Sequence, residues 1–181
     1  MPATVIINRW TGAGPTKTDI TSINTVANAN DTHQTTAAGS NDPIRIPPSG
    51  TNYSYWVTTR LSATTTPAGM IDNIRWYTDG TNNFGTGVTC VGNDASSYVQ
   101  ATGTVGTSGT QLTTGNHGGL SGSPVDVFTY DSMSPKSIAG SISNPSTGDF
   151  GDFFVYQVEV DNTASPGTTT QETFTWLYDE T

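Results

Sequence analysis

Apolar and polar residues alternate with a period of two along much of this chain, whereas the spacing of an amphipathic helix does not occur. Successive side chains of an extended strand point to opposite sides, so this alternation predicts strands with one apolar face. Between residues 53 and 61, the predicted apolar face comprises Tyr53, Tyr55, Val57 and Leu61, and the opposite face comprises Trp56, Thr58 and Arg60.

Two more alternating stretches lie near the end of the sequence. A turn-rich segment, residues 161–168, joins them, which predicts an antiparallel pair of strands that closes the fold. The first stretch places Phe154, Tyr156, Val158 and Val160 on one face and Gln157 and Glu159 on the other, and the second alternates Phe174, Trp176 and Tyr178 with Thr173, Thr175 and Leu177.

Seven further segments have the composition of strands, and clusters of Gly, Pro, Asn and Asp separate them. The chain is therefore predicted to be all-β: one antiparallel β-sandwich domain over residues 1–181, jelly-roll-like, with about nine to ten strands. Residues 16–40 are polar and almost free of aromatic side chains, which predicts either an extended arm over a neighbour or a long surface loop. The seven segments are residues 4–10, 44–46, 70–77, 88–91, 97–102, 125–130 and 137–143.

Acidic residues outnumber basic ones, with 15 Asp and Glu against 6 Lys and Arg and a net charge of −9 at pH 7. So few scattered cations cannot neutralise a phosphate track, which excludes nucleic-acid binding by electrostatics. The 7 Tyr, 6 Phe and 4 Trp are spread along the chain and indicate a packed core rather than disorder. No apolar run is long enough to span a membrane, and the first residues lack the features of a secretory signal, so we expect synthesis in a cytoplasm without a signal peptide.

One string has the form of a catalytic loop. Residues 119–124, Gly-Leu-Ser-Gly-Ser-Pro, resemble the Gly-Asp-Ser-Gly-Gly-Pro loop of chymotrypsin-like serine proteases, in which backbone N–H groups form an oxyanion hole. The chain order His33, Asp72, Ser121 also matches that family's order of catalytic residues. The string departs from the pattern at its second and fifth positions, and in a chain this rich in Ser and Gly we interpret it as a loop between strands.

The other reactive side chains favour no catalytic or metal site. Cys90 is the single cysteine, and we expect it to be a buried small hydrophobic residue. His117 is expected to be a surface histidine with satisfied polar atoms, because it and one unpaired cysteine are too few for a zinc site. The acidic residues show no spacing that selects a pair for glycoside hydrolysis. We therefore predict no catalytic residue, no metal and no cofactor.

Four aromatic residues are candidates for an interface or for stacking on a ligand: Trp10, Trp56, Trp76 and Tyr77. Trp76 and Tyr77 are adjacent, so one ring must lie on each face of its strand, and Trp56 points away from its apolar neighbours. Because a sandwich buries one face of each sheet, another subunit or a sugar should cover some of these rings, unless an end of the sandwich buries them.

Three stretches carry a resemblance to a known class of protein: residues 74–80 (Ile-Arg-Trp-Tyr-Thr-Asp-Gly), 149–157 (Asp-Phe-Gly-Asp-Phe-Phe-Val-Tyr-Gln) and 174–181 (Phe-Thr-Trp-Leu-Tyr-Asp-Glu-Thr). They resemble β-rich virion proteins of tailed bacteriophages and related prophages, above all capsid decoration or cement proteins. The resemblance is one of style and extends over most of the chain, which is small, acidic and rich in Thr and Gly. It implies a protein that is made in the host cytoplasm, folds, often as a symmetric oligomer, and docks on a capsid lattice; no catalytic residue carries over.

These observations lead us to expect a non-enzymatic structural protein of a virus particle, located on the virion surface. Its expected partners are other copies of itself, a trimer being one candidate, and a major capsid protein, with no nucleic acid and no membrane. One alternative is a carbohydrate-binding or adhesin-type module that stacks glycans on Trp76 or Trp56. The other is a chymotrypsin-like serine hydrolase that uses Ser121.

Overall fold

The computed structural model describes residues 2–35 and 41–181, and this part of the chain is almost entirely β. It contains thirteen strands and a short 3-10 turn at Val127–Thr129. The strands are β1 (Val5–Thr11), β2 (Thr16–Asp19), β3 (Thr51–Tyr53), β4 (Val57–Ala63), β5 (Met70–Tyr77), β6 (Val88–Ala95), β7 (Gly103–Thr104), β8 (Ser108–Gly109), β9 (Val125–Asp126), β10 (Lys136–Ile138), β11 (Ile142–Ser143), β12 (Gly148–Asp161) and β13 (Thr175–Glu180).

Two antiparallel sheets form the framework. The large sheet has the order β2-β1-β4-β12-β6-β9, with β3 also paired to β12. In the small sheet, β5 lies between β13 on one side and β10 and β11 on the other, since Trp76 pairs with both Lys136 and Trp176. The chain passes repeatedly from one sheet to the other, which is typical of Greek-key and jelly-roll sandwiches.

The two sheets pack face to face around the main core. Trp76 of β5 stacks on Phe154 of β12, with ring centroids 3.7 Å apart. Because these rings come from different sheets, their contact joins the two layers directly. The antiparallel β-sandwich predicted from the sequence is thereby confirmed. Further buried members of this core are Val57, Leu61, Ile71, Ile74, Cys90, Val127 and Val158.

A second core lies on the other face of the large sheet. Residues 96–124, here called the outer layer, contribute Ala101 and Leu112 to it, and the large sheet contributes Phe153 and Val155. The outer layer has little regular structure apart from the β7–β8 hairpin. The large sheet is therefore buried on both faces, and this explains why β12 has buried residues at consecutive positions.

Gln157 fastens the outer layer to the large sheet. Its side-chain amide donates to the carbonyl oxygens of Ser54 (2.7 Å) and Thr110 (2.8 Å), and its Oε1 accepts from the backbone N–H of Leu112 (2.7 Å). The side chain is fully buried. A polar residue is stable here because every part of its amide has a partner.

Several expectations about individual strands need correction. The alternation at residues 154–160 and 174–178 is confirmed, but the two strands do not pair: β12 lies in the large sheet and β13 pairs with β5 in the small sheet. The strand predicted at 53–61 is interrupted, because the N–H of Tyr55 bonds to the carbonyl of Asn28 (2.8 Å) and its ring enters the second core. Segments 44–46 and 97–102 form no strand.

Residues 16–35 pack on their own chain. Thr16–Asp19 is β2, which pairs with β1, the N–H of Ile20 bonds to the carbonyl of Ile7 (2.8 Å), and Ala29 is fully buried. The described part of this segment therefore consists of β2 and a stretch that packs on the same chain, and the choice between an arm and a loop stays a prediction. Residues 36–40 lie outside the described residues.

Candidate interaction surface

The outer face of the small sheet is the uncovered sheet face of the described structure. Ile74, Trp76 and Ile138 are buried in the main core, so their neighbours Arg75, Tyr77 and Ser137 lie on the opposite face. We call this outer face the small-sheet face. Its residues are Asp72, Asn73, Arg75, Tyr77, Ser137, Thr175, Leu177 and Asp179.

The strand register brings three of these residues into one row. Arg75 is paired with Ser137 of β10 on one side and with Leu177 of β13 on the other. Leu177 is 40% exposed, which is high for a leucine in a strand. The row therefore presents an exposed apolar side chain beside polar ones.

An ion pair balances part of the charge of the small-sheet face. Arg75 Nη2 lies 2.9 Å from Asp179 Oδ1, and Arg75 Nε donates to the carbonyl of Asn73 (3.1 Å). Asn73 also donates to the Asp179 carboxylate. An exposed pair of this kind adds little to stability. Asp72, paired with Asp179 on the same face, has no cation beside it among the described residues of this face, so one Arg stands against two Asp there, in a protein with a net charge of −9.

Trp76 and Trp56, two of the four aromatic candidates, are not available at the surface. Trp76 is 1% exposed in the main core, and Trp56 is 4% exposed in the second core, where its Nε1 donates to the carbonyl of Val99 (3.0 Å). The expectation that these rings meet a sugar or a neighbouring subunit is thus corrected. Trp76 faces the main core between the two sheets, and Trp56 is covered by the outer layer, which lies on the face of the large sheet that a two-layer sandwich would expose.

Trp10 and Tyr77 are partly exposed. Trp10 packs edge-on against Phe153 (5.0 Å between centroids), and the Lys17 ammonium lies 4.5 Å from the centre of the indole ring. Trp10 is therefore enclosed by its own chain at the margin of the second core. Tyr77 lies on the small-sheet face and is the candidate whose placement suits contact with another molecule.

Ser121 is part of a contact between sheets. Its hydroxyl donates to the Asp94 carboxylate of β6, and Lys136 of β10 lies 2.8 Å from the same carboxylate oxygen. His33 instead approaches Thr25 (3.3 Å), and Asp72 is paired with Asp179 in the small sheet. The three residues in protease order are thus not assembled, and neither His33 nor His117 is hydrogen-bonded to Ser121.

The location of His117 differs from the one predicted from the sequence. It is fully buried rather than on the surface, its ring lies edge-on against Trp56 (5.5 Å), and neither ring nitrogen has a hydrogen-bond partner among the described residues. Burial lowers the pKa of His117. Cys90 is buried as predicted, and burial raises its pKa well above the ordinary thiol value.

Sequence reasoning missed a buried arginine. Arg9 of β1 is 1% exposed, and its Nη1 donates to Thr25 Oγ1 (2.6 Å) and to the carbonyl of Val26 (2.7 Å). Burial lowers the pKa of its guanidinium. The alternation in the sequence could have indicated this burial, because Val5, Ile7 and Arg9 are spaced two residues apart and so share the apolar face of the strand.

Within residues 2–35 and 41–181, no group of three or more His, Cys, Asp or Glu side chains is placed to hold a metal ion. Those residues also contain no helix of the length and apolarity needed to cross a membrane. Comparisons of the chain with protein-family models, with curated proteins and with solved structures find no match. The interpretation of the small-sheet face therefore depends on its own geometry and chemistry.

Proposed function

We propose that this protein is a non-enzymatic structural component of a virus particle, a capsid decoration or cement protein that stabilises the shell through contacts between subunits. The observation that carries this proposal is the small-sheet face. One sheet of the sandwich is covered on both sides by the chain itself, whereas the other presents an open face with Tyr77 and Leu177. Open surfaces with aromatic and apolar side chains are suited to subunit contacts.

Charge distribution favours this face as the contact. Two copies, each with a net charge of −9, repel one another over most of their surfaces. The small-sheet face reduces this repulsion, because Arg75 balances Asp179 and leaves Asp72 as the one unbalanced carboxylate among its described residues. A contact between copies therefore meets little charge repulsion here.

The remaining cations are also restrained. Lys17 and Lys136 pair with Asp149 and Asp94, and Arg60 donates to the carbonyl of Gly151 (2.7 Å). Side chains that are already fixed lose little conformational entropy when a subunit binds. A protein that works by adhering to a lattice benefits from such a surface.

Self-association is the first test. We expect light scattering behind a sizing column, over a concentration series, to give a discrete oligomer for the wild type, a trimer being one candidate. Leu177→Lys, on the small-sheet face, should shift the mass to that of the monomer. A monomer at every wild-type concentration would contradict the self-association part of the proposal.

The matched control is Val105→Lys. Val105 is 57% exposed in the turn between β7 and β8, in the outer layer. Both variants replace an exposed apolar residue and add one positive charge, but only one lies on the small-sheet face. Val105→Lys should therefore keep the wild-type mass.

The virion location needs a separate test. Particles banded from the natural source of the gene should bind gold-labelled antibodies raised against this protein on their outer surface. Particles that are free of label, while the protein stays in the soluble fraction, would count against a decoration role.

One observation favours a second candidate, a carbohydrate-binding module. Tyr77 places an aromatic ring on an open, flat sheet face, and such rings can stack on sugars. In this case glycan columns should retain the wild type and release Tyr77→Ala while the solution mass is unchanged. If no column in a broad glycan panel retains the wild type, this candidate is eliminated.

A further inference from the structure

We propose that β13 pairs with β13 of a second copy, antiparallel and about a twofold axis at Leu177, so that two small sheets become one continuous sheet. This inference rests on the proposed self-association, names its contact and predicts a dimer rather than a trimer, since a twofold contact closes between two copies. Backbone hydrogen bonds across the axis would supply the attraction, and the side chains of β13 would set the register.

β13 is the longest edge strand of the two sheets in the described structure. It has six residues and pairs there only with β5, whereas the other edge strands, β2, β3, β9, β10 and β11, have four, three, two, three and two. Natural edge strands are commonly protected by Pro, Lys or a bulge. The sequence of β13, Thr-Trp-Leu-Tyr-Asp-Glu, contains neither Pro nor Lys.

The bulge next to β13 lies on the other strand. Leu177 is paired with Arg75 and Asp179 with Asp72, so β5 has one residue more than β13 over this interval. Asn73, in the interval, has a φ of 49°. Since β5 contains the extra residue, β13 stays regular and its outer edge can accept another strand.

The side chains of β13 are complementary to themselves when Leu177 is at the axis. Two exposed Leu177 side chains then face each other, and Thr175 of each copy lies opposite Asp179 of the other on the same face. Thr175 can donate a hydrogen bond to that carboxylate. On the inner face, Trp176 lies opposite Tyr178, and both are partly exposed in the single chain. Aromatic pairs directly opposite each other are favourable cross-strand contacts.

The two neighbouring registers give less favourable cross-strand contacts or fewer paired residues. An axis at Tyr178 would place Leu177 opposite Asp179 and Trp176 opposite Glu180, which sets apolar side chains against carboxylates. An axis at Trp176 would use only residues 175–177 of the strand. The axis at Leu177 uses five residues, 175–179, and opposes no like charges.

Cysteine cross-linking tests the register. Leu177→Cys brings two thiols opposite each other across the axis, at the separation of directly paired strand residues, which suits a disulfide. We expect mild copper-phenanthroline oxidation to give a covalent dimer on a non-reducing gel. Because Leu177 is 40% exposed, the substitution should leave the fold intact, which circular dichroism checks.

The controls are specific to this register. Thr175→Cys alone should give no dimer, because its partner is Asp179, whereas Thr175→Cys combined with Asp179→Cys should cross-link. The wild type controls for Cys90, which is buried. Thr175→Cys and the wild type should each give at least tenfold less dimer than Leu177→Cys and the double variant.

The outcomes separate the two proposals. If the wild type is an oligomer by light scattering but Leu177→Cys gives no dimer, pairing through β13 is overturned and self-association stands. If the wild type is a monomer at every concentration and Leu177→Cys gives no dimer, both are overturned. Cross-linking of Thr175→Cys alone would also overturn the register at Leu177.

Discussion

His117 is a polar side chain in an apolar site. Neither of its ring nitrogens has a hydrogen-bond partner among the described residues, and burial lowers its pKa below the ordinary value of 6.5. In the unfolded chain the imidazole is in water and takes up a proton at higher pH than in the fold. His117 therefore does not reduce the free energy of unfolding above about pH 6.5. Below that pH the unfolded chain binds the proton more readily, so the free energy of unfolding decreases as the pH falls.

Replacing His117 with Phe should flatten this pH dependence. Between pH 7.5 and pH 5, the free energy of unfolding of the wild type should fall relative to that of His117→Phe by up to about 1.4 kcal/mol per pH unit. Urea titrations at several pH values measure the difference, and titration of the carboxylates cancels between the two proteins. Parallel pH profiles would show that His117 is protonated equally easily in the folded and unfolded chain.

At the scale of elements, the outer layer depends on a few contacts. It contains little regular structure, and Gln157 holds it through three hydrogen bonds to the backbone of Ser54, Thr110 and Leu112. A buried backbone group left without a partner costs about 1–3 kcal/mol. Removing the amide of Gln157 should therefore loosen this layer more than the sandwich beneath it.

Gln157→Leu, which keeps the side-chain volume, should lower the free energy of unfolding by about 3 kcal/mol. Hydrogen exchange should accelerate more at the amide of Leu112 than at core amides of β6 and β12. Glu159→Leu is the matched control, because Glu159 lies on the same face of β12 and is partly exposed; its cost should stay below about 1 kcal/mol. If the two variants lost equal free energy of unfolding, the hydrogen bonds of Gln157 would not be what holds the outer layer in place.

The period of two was sufficient to predict the sandwich and the faces of β12 and β13, since burial on one side is a local property of a strand. It could not show which strands pair, because β12 and β13 are neighbours in sequence but belong to different sheets. It also missed the second core, because the outer layer covers Trp56 with segments that have no periodic pattern. Within the small-sheet face, the sequence identified Tyr77 as a candidate contact residue. It placed Leu177 on the face opposite the aromatic residues but did not identify it as a contact residue.

For the whole molecule, the net charge of −9 opposes every contact between copies. The small-sheet face limits this effect locally, but the charges elsewhere on two joined sandwiches still repel at distances comparable to the Debye length. Salt that screens those charges should thus strengthen self-association, whereas it would weaken an assembly held together by opposite charges.

We therefore expect the apparent dissociation constant to fall several-fold when NaCl is raised from about 10 mM, where the Debye length is about 30 Å, to about 150 mM, where it is about 8 Å. Sedimentation velocity over a concentration series measures this. Val105→Lys and Val105→Glu, which change the net charge in opposite directions away from the small-sheet face, should respectively reduce and increase the dependence on salt. Weaker association at higher salt would instead indicate that oppositely charged surfaces meet, and would shift the contact away from the small-sheet face.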